Sequence, residues 1–151
     1  MAKKFKITLT DWDGAVRGMP SRIIAVNDNA SLYDLAAFAL SVFDFDLDHS
    51  FGFYDNLKNW SRSEEGYELF ADMGEKLKFP GVKKAEVRKV FHSPKQKMLL
   101  LFDYGDEWRF IVQYLEDEDL EVAILPVLLD SKGEAPDQYG GLFDEDDEYE
   151  Y

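Results

Sequence analysis

The densest group of chemically capable side chains in this sequence is a short segment that reads Asp-Tyr-Gly-Asp-Glu-Trp. Its carboxylates and aromatic rings include those of Asp103, Asp106, Tyr104 and Trp108. Carboxylates at this spacing could bind a hard cation or the basic group of a partner. An apolar neighbour could also shift the pKa of a carboxyl group far enough for acid–base chemistry. The same residue types equally form tight turns, with Gly105 permitting a positive φ and an aspartate accepting turn amides.

The chain has two histidines, His49 and His92, which lie far apart and outside any His-x-x-x-His pair. Such a histidine is more often structural than catalytic, but imidazole and carboxylate groups together can bind a divalent ion. Asp103, Asp106 and His49 are therefore the candidate metal ligands, with Asp48 as a further carboxylate beside His49. A metal-dependent enzyme or metal-binding protein built on these residues is the first alternative function.

A second polar segment, near the C-terminal end, reads Gly-Glu-Ala-Pro-Asp-Gln-Tyr-Gly-Gly. A proline and paired glycines restrict the backbone path, which is typical of a structural clasp over a core and also of a ligand lid. The candidate binding residues of this segment are Pro136, Tyr139, Gly140 and Gly141. We expect them to share one surface with the acidic segment described above and with His49.

Several common catalytic markers are absent from the sequence. It contains no cysteine, which excludes disulfides, thiolate nucleophiles and sulfur-ligated zinc. It also lacks the Gly-x-x-x-x-Gly-Lys-Ser/Thr loop, the Gly-x-Gly-x-x-Gly turn and the Gly-x-Ser-x-Gly elbow. No cofactor is indicated, and the sequence favours a non-catalytic binding or interaction module whose partner is a protein or a small ligand. The residues alone do not decide whether any catalysis occurs.

The formal net charge of −14 is concentrated in two segments. Residues 116–121 carry five acids and residues 142–151 carry six, and neither segment carries a base. Residues 75–97 have the opposite character, with eight bases and two acids. A strongly negative chain disfavours a phosphate-backbone partner. Weak nucleic-acid association through the basic residues 76–97 nevertheless stays as the second alternative function.

The first elements can be read from the periodicity of the apolar side chains. Alternating residues predict a first strand over residues 5–10 and a second, antiparallel strand over residues 22–26. Ser31 and Asp34 form a capping-box pattern, which predicts a helix that ends near Phe43.

The rest of the chain predicts four more strands and one more helix. The strands span residues 50–54, 97–104, 107–115 and 122–129. The middle two form a hairpin, and the continuous apolar run over 98–102 predicts a strand covered on both faces. Pro126 pushes the last strand toward a sheet edge or a bulge. The second helix is predicted from Val82 or Lys83 to Phe91, after a loop over residues 55–74.

This order predicts an α+β domain with two helices packed on one face of a mixed or antiparallel sheet. Its strand–strand–helix–strand opening resembles a ubiquitin-like half. We expect a single domain over residues 1–141 and an acidic, disordered tail over residues 142–151. No apolar run approaches the ~18 residues that span a bilayer, and no secretory signal is visible. We therefore expect a cytoplasmic protein without a membrane partner.

Three motifs carry a resemblance to a known family. Asp103-Tyr104-Gly105-Asp106-x-Trp108 resembles a motif of the plasmid Ri ORF-three-like (pRiA-type) family. Asp48-His49-x-Phe51-x-Phe53 is similar to its His-aromatic strand, and Ala135-Pro136 with Gly140-Gly141 is similar to its ending. The chain departs from the family where Ser21-Arg22 replaces a Trp-Arg pair. The resemblance implies an α+β domain without an established catalytic activity, sometimes found in plasmid or mobile-element proteins.

Overall fold

Seven strands form one sheet in the part of the chain that this computed structural model describes, which is residues 1–10, 19–75, 78–120 and 124–139. The strands are β1 (Ala2–Thr10), β2 (Ser21–Asn27), β3 (Phe51–Tyr54), β4 (Gly66–Glu68), β5 (Lys97–Phe102), β6 (Trp108–Glu118) and β7 (Val127–Lys132). Their order in the sheet is β4-β3-β5-β6-β1-β2-β7, and neighbouring strands pair antiparallel. The helices are α1 (Leu32–Ser41), α2 (Leu69–Asp72) and α3 (Val87–Val90), and residues Trp60–Arg62 form a 3-10 turn. The protein is therefore α+β.

The hairpin of β5 and β6 forms the middle of the sheet, as the sequence predicts. Every residue from Met98 to Phe102 is at most 1% exposed. Met98 and Leu100 belong to the main core, whereas Leu99 and Leu101 pack into a smaller cluster that also contains Tyr54. Because neighbouring side chains of a strand point to opposite faces, a continuous apolar run covers both. The prediction of a strand buried on both faces is confirmed.

Helix α1 begins with the predicted capping box. The Ser31 hydroxyl accepts the Asp34 backbone N–H at 3.0 Å, and the Asp34 carboxylate accepts the Ser31 N–H at 3.5 Å. The buried residues of α1 are Leu32, Leu35, Ala36, Ala39 and Leu40, all of which belong to the main core. This spacing gives the helix one apolar stripe, which packs against the core of the domain.

The predicted second helix is much shorter than expected. It is the single turn α3, because the residues before it bond to the start of α1 instead of to each other. The Leu32 N–H donates to the Ala85 carbonyl at 2.8 Å, and the Val87 N–H donates to the Ala30 carbonyl at 2.8 Å. A tertiary contact thus overrides the helical periodicity of this segment. The packing of two helices on one face and the ubiquitin-like opening stay predictions.

Two further differences concern the C-terminal half. Strand β7 begins immediately after Pro126 and lies at the edge of the sheet, so the expected edge position is confirmed but the strand begins later than predicted. Residues 55–74, predicted as a loop, contain β4 and α2. Gly140, Gly141 and the expected tail over residues 142–151 lie outside the described residues, so those predictions are untested. None of the described helices has the length and apolar character needed to cross a membrane.

Candidate functional site

The connection between β5 and β6, residues 103–107, is called the hairpin tip here. Asp103 adopts a positive φ of 67° and its Oδ1 accepts the N–H groups of Gly105 at 3.1 Å and Asp106 at 3.3 Å. Glu107 also has a positive φ, of 54°, and its N–H donates to the Asp103 carbonyl at 2.5 Å. The positive φ angles therefore fall on Asp103 and Glu107 instead of Gly105. Aspartate tolerates this conformation since its short side chain bonds locally.

The hairpin tip brings Asp103 to His49, as the sequence analysis expects. The His49 Nδ1 atom lies 2.8 Å from Asp48 Oδ1 and 3.7 Å from Asp103 Oδ2. The His49 ring also meets the Phe102 ring edge to face, with 6.0 Å between centroids. The hydrogen bond to Asp48 raises the pKa of His49, and the charges of Asp103 and Asp106 raise it further. The imidazole is half exposed, so its charged form faces both the carboxylates and solvent.

A segment that we call the clasp, residues 135–139, closes over the same site. The Tyr139 hydroxyl donates to Asp48 Oδ2, and the Gln138 side-chain amide donates to Asp48 Oδ1 at 3.2 Å. The bond from Tyr139 is the main reason that the pKa of Asp48 is lowered, and it raises the pKa of Tyr139 to about 12. Asp48 therefore links the clasp to His49.

Gln138 anchors the clasp, although the sequence did not mark it as a site residue. Its Oε1 accepts the Asp46 N–H at 2.6 Å, and its Nε2 donates to the Asp46 carbonyl at 3.1 Å. Its residue surface is 9% exposed. A glutamine within a turn-rich segment has no distinctive pattern, so only the contact between residues 92 positions apart reveals this role.

Arg22 supports the clasp from the core side. Its Nη1 donates to the carbonyls of Lys132 at 3.1 Å and Gly133 at 3.0 Å, and its Nε donates to the Val42 carbonyl at 3.0 Å. Its guanidinium lies 4.6 Å from the centre of the Phe43 ring. Arg22 thus joins the segment after α1 to the end of β7, from which the clasp continues. It is a positioning residue for the site.

A cavity of about 470 Å³ lies between the clasp and the segment that follows α1. Its apolar surface comes from Phe43, Ala135 and Pro136, whereas Asp44, Asp46 and Asp137 contribute to its polar surface. Pro136 is thus placed beside the site, as expected. An apolar surface with nearby carboxylates suits a positive group carried on an apolar stem.

Two residues of the acidic motif point elsewhere. The Tyr104 hydroxyl lies 2.7 Å from the Tyr54 hydroxyl, and its ring packs against Trp60 at 5.4 Å between centroids. Burial raises the pKa of Tyr104 to about 12. Trp108 packs edge to face on Phe45 at 4.8 Å between centroids. The structure therefore joins Asp48, His49, Asp103 and Tyr139, and it places Tyr104 in the cluster behind the sheet.

The candidate metal ligands do not form a metal centre in the part of the chain that is described. No three His, Cys, Asp or Glu side chains there have an arrangement that could hold an ion. Asp103 Oδ1 already accepts two turn amides. His49 and Asp103 are neighbours, but their contact is an imidazole–carboxylate pair.

The basic segment offers little support for a nucleic-acid surface. Arg88 pairs with Glu86 at 2.8 Å, and Lys83 lies over the Tyr33 ring at 5.2 Å from its centre. These contacts are with the chain's own residues. Lys76, the first base of the segment, lies outside the described residues.

Of the comparisons with known proteins, one concerns the fold and another identifies the family. A crystal structure of a protein of unknown function from Methanosarcina mazei Go1 superposes with a TM-score of 0.71 at 20% identity, covering 97% of this chain and 78% of that chain. At this identity the likeness concerns the fold alone. No curated protein matches the chain. The family model of the plasmid pRiA4b ORF-3-like proteins matches residues 2–147, which is nearly the whole sequence. The chain belongs to the plasmid pRiA4b ORF-3-like protein family.

Proposed function

We propose that the protein is a non-catalytic binding module that takes a basic group of a protein or small-molecule partner at the hairpin tip and clasp. The observation that carries this proposal is the cavity between the clasp and the segment after α1, where three aspartates lie beside an apolar surface. Tyr139, which lines the cavity, donates to Asp48, and this bond joins the cavity to the pair of Asp48 and His49.

The charges around the cavity favour a cationic ligand. Asp44, Asp46 and Asp137 line it, and Asp48 lies next to it through Tyr139. Arg22 is a nearby cation that donates hydrogen bonds to backbone carbonyls and forms no described salt bridge with those carboxylates. A guanidinium or ammonium group could pair with these carboxylates while its stem packs on Phe43 and Pro136.

Binding is favoured over catalysis because the central carboxylates already hold the protein's own structure. Asp48 accepts hydrogen bonds from Gln138 and Tyr139 and lies within bonding distance of His49. Asp103 holds the turn with one oxygen and faces His49 with the other. A general acid or base must exchange protons with a substrate, whereas these groups fix a shape. Among the described residues, no arrangement of groups favours the metal-dependent alternative.

Calorimetric titration with N-acetyl-arginine amide tests the proposal. We expect saturable binding that weakens at least about tenfold in the double variant Asp44→Asn and Asp137→Asn, since each lost carboxylate removes a charge-assisted contact. Glu64→Gln, which removes an exposed carboxylate elsewhere, should bind like the unaltered protein. Equal weakening in Glu64→Gln, or no binding by any form, would show that the cavity is not a cation site.

A further inference from the structure

A second concave surface lies apart from the hairpin tip, between α1 and the segment that leads into β7. Its cavity has a volume of about 530 Å³. The apolar lining comes from Ala37 and Phe38 on α1, Val26 on β2, and Leu125 with Pro126 before β7. Neither of these α1 residues is among the buried ones of the helix, although Phe38 also packs against the edge of the main core. The cavity falls within the size range that holds side chains or small ligands.

Strand β7 borders this cavity and forms one edge of the described sheet. It follows Pro126 directly and pairs with β2, at the end of the strand order. Its exposed leucines, Leu128 and Leu129, are 42% and 41% exposed, and Ile124 just before it is 77% exposed. The outer side of an edge strand presents backbone N–H and C=O groups that another strand can pair. An apolar edge of this kind suits an extended chain.

Charge indicates which chain can occupy the edge. The charged side chain in the described cavity lining is Asp34, so the occupant should carry a base near its apolar side chains. A second copy would bring another net charge of −14, and residues 142–151 would bring six acids without a base. Both would place negative charge beside Asp34, which is unfavourable.

We propose that β7 and the adjoining cavity bind an extended, basic peptide segment of a partner protein. The segment adds a strand to the edge through backbone hydrogen bonds, places apolar side chains against Phe38 and Leu128, and presents a lysine or arginine to Asp34. This surface is separate from the hairpin tip and clasp, and it does not depend on the function proposed for them.

The test uses the full chain labelled with nitrogen-15 and a capped peptide, Thr-Leu-Thr-Leu-Thr-Lys-Thr. In a strand this probe presents both leucines and the lysine on one face. We expect saturable changes in the amide signals of residues 34–41 and 125–131. The same peptide with glutamate in place of lysine should bind at least about fivefold more weakly. The same peptide with alternate amides methylated should not bind, because it cannot complete the backbone hydrogen bonds.

Three variants distinguish specific binding at this surface from non-specific binding of the peptide. Leu128→Lys should abolish binding, whereas Met73→Lys, at a residue that is 66% exposed elsewhere, should leave it unchanged. Asp34→Asn should remove the preference for lysine over glutamate, and its amide oxygen can still accept the Ser31 N–H. Binding that Leu128→Lys does not change would overturn the proposal, as would signal changes confined to residues 43–49 and 135–139. Concentration-dependent dimerisation that the peptide cannot compete with would assign the edge to a second copy.

Discussion

Two clusters in this molecule combine a cationic residue, a phenol and an aspartate, and they differ in what holds them together. In the first, which we call the strand cluster, Lys3 Nζ lies 2.8 Å from Asp117 Oδ1 and 3.3 Å from the Tyr114 hydroxyl, which donates to Asp117 at 2.6 Å. Lys3 and Asp117 are directly opposite each other in the register of β1 and β6. Backbone pairing therefore sets the positions of these groups.

The second cluster, the tip cluster, consists of His49, Asp48 and Tyr139. It joins a loop before β3 to the clasp, which is 91 positions away from Asp48. Side-chain hydrogen bonds hold it, and His49 is 48% exposed compared with 7% for the Lys3 side chain. Similar groups thus have two kinds of support: strand register fixes the first cluster within the sheet, whereas the second depends on side-chain hydrogen bonds between loops.

The pKa directions reflect the same contrast. Burial alone would lower the pKa of Lys3, but the hydrogen bonds to Asp117 and Tyr114 outweigh it, and the net direction is upward. The bond from Lys3 also lowers the pKa of Asp117, so both charges are stabilised in the folded protein. In the tip cluster, one of the groups with a raised pKa is a histidine, which changes charge near neutral pH.

The largest expected difference comes from removing each aspartate. Asp117→Ala leaves the Lys3 ammonium buried without its carboxylate, and we expect it to lower the free energy of unfolding by about 2–3 kcal/mol. Asp48→Ala should lower it by about 1 kcal/mol, because two of its partners, His49 and Tyr139, are about half exposed. Urea unfolding at pH 7 measures both. Glu116→Gln, on the exposed partner of Lys4, is the matched control, with an effect below about 0.5 kcal/mol. Equal losses of unfolding free energy in Asp117→Ala and Asp48→Ala would contradict the distinction between the strand cluster and the tip cluster.

Gln138→Ala tests whether side-chain bonds alone hold the clasp. It leaves the Asp46 N–H and carbonyl without their partner, so we expect a loss of about 1 kcal/mol and faster hydrogen exchange confined to residues 135–139. Gln113→Ala, on β6, should not change exchange in the clasp. Unchanged protection of the clasp in Gln138→Ala would mean that other contacts fix it.

The two tyrosines provide a smaller comparison. Tyr114→Phe removes a hydroxyl that bonds both Lys3 and Asp117, and we expect a loss of about 1 kcal/mol in unfolding free energy. Tyr139→Phe removes a hydroxyl from a residue that is 46% exposed, and the loss should be smaller than in Tyr114→Phe. Instead, Tyr139→Phe should weaken the protection of the clasp amides from hydrogen exchange. If Tyr139→Phe lost more unfolding free energy than Tyr114→Phe, the tip cluster would be a structural cluster like the strand cluster.

The smallest expected effect is on pH dependence. The pKa of His49 is raised above 6.5. Its contribution to stability is therefore full below pH 6.5 and is lost as pH rises through the raised value. The pKa of Asp48 is lowered from 3.8. Its contribution to stability is therefore present above pH 3.8 and is lost as pH falls through the lowered value. Protection factors of the clasp should therefore be highest between about pH 4 and 6.5.

NMR titration of the His49 ring checks the cause of this pH dependence. Asp48→Asn should lower the His49 pKa toward its ordinary value, because the hydrogen bond to Asp48 has the largest effect. Asp106→Asn should lower it less, since Asp106 acts through its charge at a distance. A larger change in Asp106→Asn would show that the tip cluster is arranged differently in solution.

Much of the sheet could be predicted because its signals are local. The alternation around Phe5 and Ile7 indicates β1, and the apolar run from Met98 to Phe102 indicates the central strand. The capping box at Ser31 is contained within four residues and correctly predicts where α1 begins. The residues before α3 were misread as helical because their backbone partner, the start of α1, is remote in sequence.

The candidate site was predicted only in part, for the same reason. The acidic motif, His49 and the clasp were recognised as separate pieces, and the structure brings Asp103, His49 and Tyr139 together. Tyr104 was grouped with them because it is adjacent in sequence, but its side chain packs with Tyr54 and Trp60 in the other cluster. Gln138 carried no signal, because a glutamine becomes an anchor only when a specific backbone lies against it.

The sequence by itself determined the local elements, the α+β class and the residue types that are available at the hairpin tip and clasp. Hydrophobic periodicity, capping and turn chemistry depend on residues a few positions apart, so they can be read along the chain. Only the tertiary structure decided the strand order, the link from Asp48 to the clasp and the edge position that leaves Leu128 and Leu129 exposed. These depend on which distant segments meet, and that is set by packing of the whole core.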